Sequence, residues 1–278
     1  MSVNDWLITS TKELQEAGIA TARLDCLVLL EDALGVDRAS ILANLDAKLP
    51  QKTEVDLNTK IVQRVRHIPL AYIRGKVEFY GREFVINEHV LVPRPETETM
   101  IDELKAALQM TPYAQLTIID VGTGSGAIAI TAKLEFPDAK VIATDIDPDA
   151  LRVARQNAKK YAVSVEFLQG NLLRPIIDAN LFESPSIVLA NLPYVPDHYS
   201  INQAADHEPK HAIFGGKDGL DLYRKLWEQI ANLSGKPFLV VTESLPTQHT
   251  DMLALAQRAN YKLYSSQDFM QVFKPTAG

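Results

Sequence analysis

The chain has 278 residues, of which 46% are apolar and 23% are charged, with a formal net charge of −7 at pH 7. This length and apolar content allow one large domain or two unequal ones. The acidic balance argues against broad nucleic-acid affinity, which needs a basic surface. Cys26 is the single cysteine, which excludes a disulfide framework, and no apolar run is long enough to span a bilayer. Met1 is followed by polar residues without a signal-peptide pattern, so we expect a cytoplasmic protein.

Residues 3 to about 74 carry apolar side chains at helical spacing, which predicts a small helical bundle. The run Leu24–Leu30 is apolar enough to lie at its centre. Thr53, with Asp56 in the capping-box position, predicts a helix start, and that helix continues to about His67. Nine Lys/Arg and ten Asp/Glu lie before residue 76, so the bundle is not a basic arm. We therefore expect it to dock on a protein.

The next two segments predict a hairpin and a rigid approach to a helix. Residues 76–86 place aromatic and β-branched side chains around the single glycine Gly81, as in a β-hairpin. Leu91-Val-Pro-Arg-Pro-Glu-Thr-Glu98 follows, and its two prolines favour an extended backbone. Glu96 or Thr97 then opens a helix that runs to about Leu108.

A glycine-rich turn joins a strand to a helix in the middle of the chain. Thr117–Asp120 reads as a buried strand, residues 122–126 contain three glycines, and Ala127–Glu135 reads as a helix. Such a turn lets a ligand approach the backbone closely at a helix N-terminus. The next strand, Val141–Thr144, ends on Asp145, whose carboxylate is placed to accept hydrogen bonds from a ribose diol.

The glycine turn alone leaves a dinucleotide site, an S-adenosylmethionine (SAM) site and a purely structural turn open. Read as Asp-x-Gly-x-Gly-x-Gly, residues 120–126 resemble motif I of class I SAM-dependent methyltransferases. A later buried-type strand, from Ile187, ends in Asn191-Leu-Pro-Tyr194. Methyltransferases that act on a planar amide or amine nitrogen carry a related tetrapeptide at this place, whereas dinucleotide enzymes have no reason for one. The resemblance favours SAM.

From Leu116 onward, strand and helix patterns alternate, which predicts an α/β fold with a doubly wound, mostly parallel sheet. The last two short runs, Tyr261–Ser265 and Phe269–Phe273, suit the antiparallel hairpin that closes methyltransferase sheets. The predicted fold class is therefore a Rossmann-like class I methyltransferase domain with a C-terminal antiparallel hairpin, preceded by a small helical bundle.

Five segments resemble the release-factor glutamine methyltransferases, the PrmC/HemK family. These segments are Gly75–Phe84, Val90–Glu98, Asp120–Gly126, Asn191–Tyr194 and Glu208–Leu220. The likeness covers nearly the whole chain, with Leu192 standing where the family usually has a proline. It implies a substrate-docking helical domain at residues 1–74, a hairpin linker at residues 75–92 and a methyltransferase domain at residues 93–278.

The resemblance also implies a reaction and its partners. The enzyme would transfer the methyl group of SAM to N5 of the glutamine in the Gly-Gly-Gln motif of class 1 peptide chain release factors, leaving S-adenosylhomocysteine. Apart from the resemblance, we expect a monomer without a metal and, from the charge and hydropathy above, no membrane and no nucleic-acid partner.

Site residues are carried over from the same segments. The expected cofactor-binding residues are Leu91, Asp120, Gly122, Thr123, Gly124, Ser125, Gly126, Asp145, Ile146, Asn171, Leu172 and Asn191. Asn171 and Leu172 stand where family members have an acid and often an aromatic residue beside the adenine. The expected catalytic residues, Asn191, Leu192, Pro193 and Tyr194, also bind the substrate together with Arg94.

The chemistry of an amide nitrogen suggests what the tetrapeptide does. Its lone pair is delocalised into the carbonyl, so the site can help by accepting hydrogen bonds from both N–H groups. We expect the side-chain oxygen of Asn191 and the backbone carbonyl of Leu192 to be the two acceptors. Pro193 would then fix the turn, and Tyr194 would pack on the planar amide.

Two charged residues near the tetrapeptide have less specific interpretations. Arg94 either contacts the substrate or the cofactor carboxylate, or forms an ion pair with Glu96 or Glu98. Glu243 ends a strand near the site and is interpreted as a solvated or capping acid.

Three other readings stay open from sequence. Asn-Leu-Pro-Tyr also occurs in rRNA adenine dimethyltransferases, although those enzymes carry their helical domain after the catalytic one. A SAM-binding protein without activity would bind the cofactor without turnover. His207-Glu-Pro-Lys-His211 matches the zinc-protease signature, but Pro209 disfavours the helix that this signature needs.

Overall fold

The computed structural model describes residues 1–109, 115–183 and 185–276. The chain divides into two compact units. One comprises Met1–Lys76 and Ile201–His207, and the other comprises Val77–Ser200 and Glu208–Gly278. Among the helices of the described ranges, none is both long and apolar enough to cross a membrane.

The first unit is helical, as the periodicity predicts. Its helices are α1 (Val3–Glu16), α2 (Ala22–Leu34), α3 (Arg38–Ala43), α4 (Gln51–Val65) and α5 (Leu70–Arg74). Their apolar faces bury Trp6, Leu29 and Leu57 in one core, which also holds the Cys26 thiol. Burial raises the pKa of Cys26 to about 11, so this cysteine is protonated at neutral pH and packs as a small apolar side chain.

The start and end of α4 differ from the prediction. The helix begins at Gln51, directly after Pro50, and no side chain caps its first N–H groups. Thr53 and Asp56 therefore lie inside the helix and form no capping box. Pro50 takes the N-cap position with an extended ψ of 139°, so the chain enters the helix three residues before the predicted cap at Thr53. The helix ends at Val65, two residues before His67.

The second unit is built on one large sheet. Its strands are β3 (Thr117–Val121), β4 (Lys140–Asp145), β5 (Glu166–Gln169), β6 (Ser186–Ala190), β7 (Leu239–Glu243), β8 (Tyr261–Gln267) and β9 (Met270–Pro275). In the described part of the chain these form a seven-stranded sheet in the order β5-β4-β3-β6-β7-β9-β8. Strands β3 to β7 are parallel, whereas β9 pairs antiparallel with both β7 and β8. The predicted fold class is confirmed.

Helices cover both faces of this sheet. They are α6 (Glu98–Gln109), α7 (Ala127–Glu135), α8 (Pro148–Lys160), α9 (Arg174–Asp178), α10 (Asp221–Ala231) and α11 (His249–Arg258). Helices α6, α7 and α8 share one core with Ile118 and Leu189, and α9, α10 and α11 share the other with Ile119 and Val188. Because alternate strand residues face opposite layers and helices cover both, the central strands β3, β6 and β7 are buried throughout. The short helix α9 was not predicted from sequence.

The predicted hairpin forms at the expected place, with β1 (Lys76–Phe79) and β2 (Arg82–Val85) joined at Tyr80 and Gly81. Both turn residues have positive φ, 52° and 68°, as a two-residue hairpin turn requires. Phe79 and Phe84 are buried in the core that covers one face of the large sheet. The buried amide of Asn157 on α8 exchanges two hydrogen bonds with Val85 and also donates to Ser125 O. This side chain therefore joins the hairpin to the glycine turn.

Candidate active site

The loops that follow the parallel strands meet at one edge of the sheet and enclose a cavity of about 1010 Å³, its open mouth included. Parallel α/β sheets bind ligands at this edge, where the strand order reverses. Here the reversal lies between β3 and β6, the strands that lead into the glycine turn and Asn191. The cavity is lined by Phe79, His89, Val90, Leu91, Pro93, Arg94, Thr97, Gly122, Thr123, Gly124, Ser125, Ala127, Ile128, Asp145, Ile146, Ala150, Gly170, Asn171, Leu172, Asn191, Leu192, Pro193, His211, Ala212 and Leu222.

The glycine turn packs closely against β4 and, at Gly126, against α8. The N–H groups of Gly122 and Thr123 both donate to Thr144 O, at 2.8 and 2.9 Å, which holds the turn against β4. A Cβ on Gly126 would lie 2.9 Å from Ile130 Cδ1, and the φ of this glycine is +80°. Gly126 therefore lets the turn enter α7, and it does not line the cavity itself.

Asp120 lies behind the turn, outside the cavity wall. Its carboxylate is fully buried and accepts hydrogen bonds from Thr123 Oγ1 at 2.6 Å and from the Ala129 N–H at 3.2 Å. These two bonds fasten the turn to the start of α7. Burial raises the pKa of Asp120 to about 7, and the nearby negative charge of Asp145 acts in the same direction. Asp120 therefore supports the cavity wall from behind.

The raised pKa of Asp120 predicts a pH-dependent stability. Between pH 3.8 and about 7 the folded state keeps a proton that the unfolded chain releases, so this group lowers the free energy of unfolding as pH rises. The slope approaches about 1.4 kcal/mol per pH unit. We expect Asp120→Asn, which cannot ionise, to gain stability relative to wild type as pH rises from 5 to 7, measured by urea unfolding without cofactor.

Asp218 offers a matched control for this titration. Its ion pair with Arg224 lowers its pKa to about 2, so it is ionised in both states from pH 5 to 8. The stability difference between Asp218→Asn and wild type should therefore stay constant over that range. A difference for Asp120→Asn that is equally independent of pH would contradict the titration.

Asp145 lies at the cavity wall, at the end of β4. Its Oδ2 accepts from the Gly124 N–H at 2.8 Å and its Oδ1 from the Asp147 N–H at 3.0 Å. Each oxygen keeps a lone pair that can accept from a ligand. The next residue, Ile146, is 62% exposed although it is apolar, and it also lines the cavity. A carboxylate beside an exposed apolar face suits a nucleoside, with its ribose on the acid and its base on the apolar surface.

The predicted residues Leu91, Asn171 and Leu172 line the same cavity. Leu172 has a φ of 56°, in the left-handed region that few non-glycine residues adopt, and its side chain is buried. Its strain lies directly at the cavity wall, as backbone strain often does at binding sites.

Asn191 lies at the cavity edge, and a buried hydrogen-bond chain holds its carboxamide. Asn191 Nδ2 donates to Thr97 Oγ1 at 2.9 Å, and this hydroxyl donates to Glu243 Oε2 at 2.7 Å. Glu243 is only 1% exposed and caps no helix, so the interpretation as a solvated or capping acid was wrong. The reason is that the carboxylate, at the end of β7, is covered by the segment before α6 and faces inward.

A hydrogen bond to α10 also fixes the backbone of Leu192. Its N–H donates to the buried hydroxyl of Tyr223 at 3.1 Å, and that hydroxyl contacts the carbonyl oxygens of Ala190 and Glu243. A proline at position 192 would have no N–H to donate. Leucine therefore replaces a rigid ring with a hydrogen bond to α10, and its side chain is buried beside Gly122.

Pro193 lines the cavity, whereas Tyr194 lies outside its wall. The Tyr194 hydroxyl donates to Glu243 Oε1 at 2.9 Å, and its carbonyl accepts from Gln248 Nε2 at 2.8 Å. Burial and the negative charge of Glu243 raise the pKa of this phenol, which is therefore neutral and donates its proton. Tyr194 thus joins the hydrogen-bond chain of Asn191.

Glycines of the segment Gly215–Gly219 support the tetrapeptide from outside. Val195 N donates to Ile213 O at 3.0 Å, and Gly215 N donates to Val195 O at 2.9 Å. A Cβ on Gly215 would lie 2.3 Å from the carbonyl oxygen of Pro193. This close contact with the backbone explains why a glycine is needed at position 215.

Arg94 forms an ion pair with Glu208, at 2.7 Å. The pairing with Glu96 or Glu98, one of the two interpretations drawn from sequence, is not the one observed. The Glu208 side chain is 2% exposed and also accepts the Val92 N–H at 3.0 Å. Arg94 remains 39% exposed and lines the cavity, so its guanidinium can still reach a ligand.

The His-Glu-x-x-His match does not form a metal site. Pro209 precedes a short 3-10 helix, Lys210–Ala212, and the Glu208 carboxylate is taken by Arg94. Nowhere in the described ranges do three or more His, Cys, Asp or Glu side chains group as metal ligands.

Sequence reasoning missed several residues of the site. His89 and His211 line the cavity and lie 3.8 and 3.7 Å from Asp149 and Asp147 respectively. Thr97 was interpreted only as a helix start. Its place within Pro-Arg-Pro-Glu-Thr-Glu, the most specific segment of the resemblance, was the available signal.

Two family models match the chain. A model described as the PrmC N-terminal domain matches residues 5–75, and one described as a methyltransferase domain matches residues 113–205. Among solved structures, the hMettl16 catalytic domain in complex with the MAT2A 3′UTR hairpin 6 has a TM-score of 0.54 at 11% identity, covering 82% of this chain and 83% of that one. At this identity the likeness shows the fold alone.

Relatives in sequence show the family, which the structural likeness does not. The chain is 36% identical to the release factor glutamine methyltransferase of Bacillus anthracis, over 84% of this chain and 83% of the relative. Identity to the enzyme of that name from Bacillus subtilis is 37%, covering 83% and 80%. For Enterococcus faecalis it is 38%, covering 69% and 68%. With a PrmC-type N-terminal region, a methyltransferase sheet and relatives matched over most of their length, this chain belongs to the release factor glutamine methyltransferase family.

Proposed function

We propose that this chain transfers the methyl group of SAM to N5 of the glutamine in the Gly-Gly-Gln motif of class 1 peptide chain release factors. Family membership supports the reaction class. The observation that carries the proposal is the orientation of the Asn191 carboxamide. Its NH₂ group is engaged by Thr97 at 2.9 Å, and no described residue donates to its oxygen. That oxygen is therefore available to accept an N–H from a substrate amide.

The cavity fits SAM by its shape and its donor set. Gly122 and Gly124 leave room where a side chain would narrow the turn, and the Asp145 carboxylate can hold the ribose diol. Ile146 and Leu172 offer apolar surface to the adenine, and Leu91 and Asn171 complete that wall. The bound cofactor would supply an electrophilic methyl carbon next to a positive sulfur. Asp120 and Gly126 would act from behind the wall, by holding the turn.

The tetrapeptide would bind the substrate amide. Asn191 Oδ1 and the Leu192 carbonyl accept its two N–H groups, which favours a nitrogen whose lone pair points into the cavity. Pro193 limits the movement of this turn, Tyr194 supports it through Glu243, and Arg94 contacts the substrate at the cavity mouth. Holding the nitrogen in place can contribute about 7–11 kcal/mol to catalysis. The nitrogen would gain the methyl carbon as the carbon–sulfur bond breaks, with its electron pair left on the sulfur of S-adenosylhomocysteine. The nitrogen would then lose one proton to water, so no obligatory general base is needed.

The role of Asp145 predicts a loss of cofactor affinity on substitution. Asp145→Asn keeps one acceptor oxygen but loses the charge and the second acceptor toward the ribose. We expect the Kd of SAM to rise about 10- to 100-fold, as for loss of a hydrogen bond to a charged group, measured by calorimetry. Asp149→Asn makes the same charge change on α8, outside the cavity wall, and should leave the Kd within about threefold. Equal losses in both variants would point to a general charge effect.

The proposed function is tested by transfer of labelled methyl from SAM. Release factor with an intact Gly-Gly-Gln motif, the same factor with Gly-Gly-Ala, and rRNA are incubated in parallel. We expect label on the intact factor only. Label on rRNA would favour the adenine reading, and SAM binding without any transfer would indicate a non-catalytic protein.

A further inference from the structure

Asn191 is connected through hydrogen bonds to Thr97 and Glu243, and the proposed function gives these two residues no role of their own. Glu243 receives two hydroxyl donors, Thr97 at 2.7 Å on Oε2 and Tyr194 at 2.9 Å on Oε1. Thr97 in turn accepts from Asn191 Nδ2 at 2.9 Å. Thr97 and Glu243 are 3% and 1% exposed, so water does not compete for these bonds.

The hydrogen bonds from Asn191 through Thr97 to Glu243 can donate in only one direction. Both carboxyl oxygens of Glu243 accept from hydroxyl groups, so the single hydroxyl hydrogen of Thr97 points to Glu243. The Thr97 oxygen then offers only lone pairs to Asn191. The carboxamide must therefore turn its NH₂ toward Thr97 and its oxygen away from it.

We propose that Glu243, acting through Thr97, is a positioning residue that fixes the amide orientation of Asn191, with the carbonyl oxygen toward the methyl-accepting nitrogen. This inference rests on the proposed function, because it assigns a purpose to the Asn191 oxygen. Without the chain, the two orientations of the carboxamide would differ little in energy. The reversed one would present a donor to the N–H groups of the substrate amide, which also donate.

A purely structural role would not need a charge at position 243. A buried carboxylate is costly, and a neutral side chain of the same size would fill the same space. Burial raises the pKa of Glu243, whereas the hydrogen bonds that Thr97 and Tyr194 donate to it lower that pKa, and the charges of Glu96 and Arg94 act in opposite directions. The carboxylate is therefore held mainly by its two hydroxyl donors.

The test uses Glu243→Gln, Thr97→Val and Thr97→Ser, all close in volume to the wild-type residues. In Glu243→Gln an amide NH₂ can donate to the Thr97 oxygen, which lets the Thr97 hydroxyl turn and donate to the Asn191 oxygen. Thr97→Val removes the hydroxyl altogether. We expect Glu243→Gln and Thr97→Val each to lower kcat about tenfold, the equivalent of one hydrogen bond. KM for the release factor and Kd for SAM should change less than about threefold. Thr97→Ser keeps the hydroxyl and should restore most of kcat.

The double variant Thr97→Val/Glu243→Gln should be no slower than the slower single variant, because both changes break one chain. Additive losses, or losses of SAM affinity that match the losses of kcat, would overturn the proposal in favour of a structural role.

A second measurement does not depend on the substrate. In ¹⁵N-labelled protein, the side-chain amide signal of Asn191, assigned by its loss in Asn191→Ala, should shift in Glu243→Gln and Thr97→Val and stay near its wild-type position in Thr97→Ser. If wild type methylates no release factor, the proposed function fails, and these signals still decide the inference. An Asn191 signal that moves in none of the three variants would overturn it.

Discussion

Asn191→Ala should lower kcat for methyl transfer about 10²- to 10³-fold, the range seen when one preorganised hydrogen-bonding group is removed from an active site. The substrate nitrogen would lose the acceptor that orients its lone pair, while the cavity wall around Asp145 would stay intact. We therefore expect the Kd of SAM to change less than about threefold. Single-turnover transfer of labelled methyl to a release factor, with calorimetric SAM binding on the same preparation, measures both quantities.

Two further variants sharpen this result. Asn191→Asp keeps an acceptor oxygen but loses the NH₂ group that donates a hydrogen bond to Thr97 Oγ1. It also brings a second carboxylate toward Glu243. It should be nearly as slow as Asn191→Ala. Asn232→Ala removes an exposed side chain whose amide donates to Glu228 O at the end of α10, and it should be as active as wild type. Equal losses of kcat and SAM affinity in Asn191→Ala would contradict the acceptor role.

Gly215→Ala should impair the site although residue 215 does not line the cavity. The added Cβ would lie 2.3 Å from Pro193 O and 2.4 Å from Gly219 O, closer than any real Cβ contact, and both neighbours are backbone. The φ of Gly215 lies outside the left-handed region, so the damage comes from the clash alone. Relief requires a shift of the Pro193 peptide and, with it, of the neighbouring Leu192 carbonyl.

We expect this shift to reduce methyl transfer at least tenfold, as a 1 Å misplacement of a reacting group can. The free energy of unfolding should fall by about 1–3 kcal/mol, as in other overpacked sites. Thermal unfolding and methyl transfer at a temperature where the variant is folded would be measured together.

Gly35→Ala is the matched control for Gly215→Ala. Gly35 ends α2 with a φ of +67°, and a Cβ there would meet nothing within 4 Å. Alanine at this position should cost about 1–2 kcal/mol of backbone strain and leave methyl transfer by the folded enzyme unchanged. If Gly215→Ala loses stability but no activity, the segment does not support the tetrapeptide in the way described.

The sequence by itself determined the fold class and the main loops of the site. Apolar periodicity marks the helical bundle and the alternating strands, because burial of one face leaves a regular spacing in the chain. The glycine turn, Asp145 and Asn191 each follow a strand directly. Since the carboxyl ends of parallel strands meet at one edge, their convergence on one cavity could be expected from sequence.

Only the tertiary structure decided how the side chains are partnered. The bond between Thr97 and Glu243 spans 146 residues, and that between Arg94 and Glu208 spans 114. No local pattern reports such pairs, because periodicity records which residues are buried and not which residues they meet. The sequence therefore showed that Asn191 stands at the end of a strand. The buried carboxylate that orients its amide became visible only when β6, β7 and the segment before α6 were brought together.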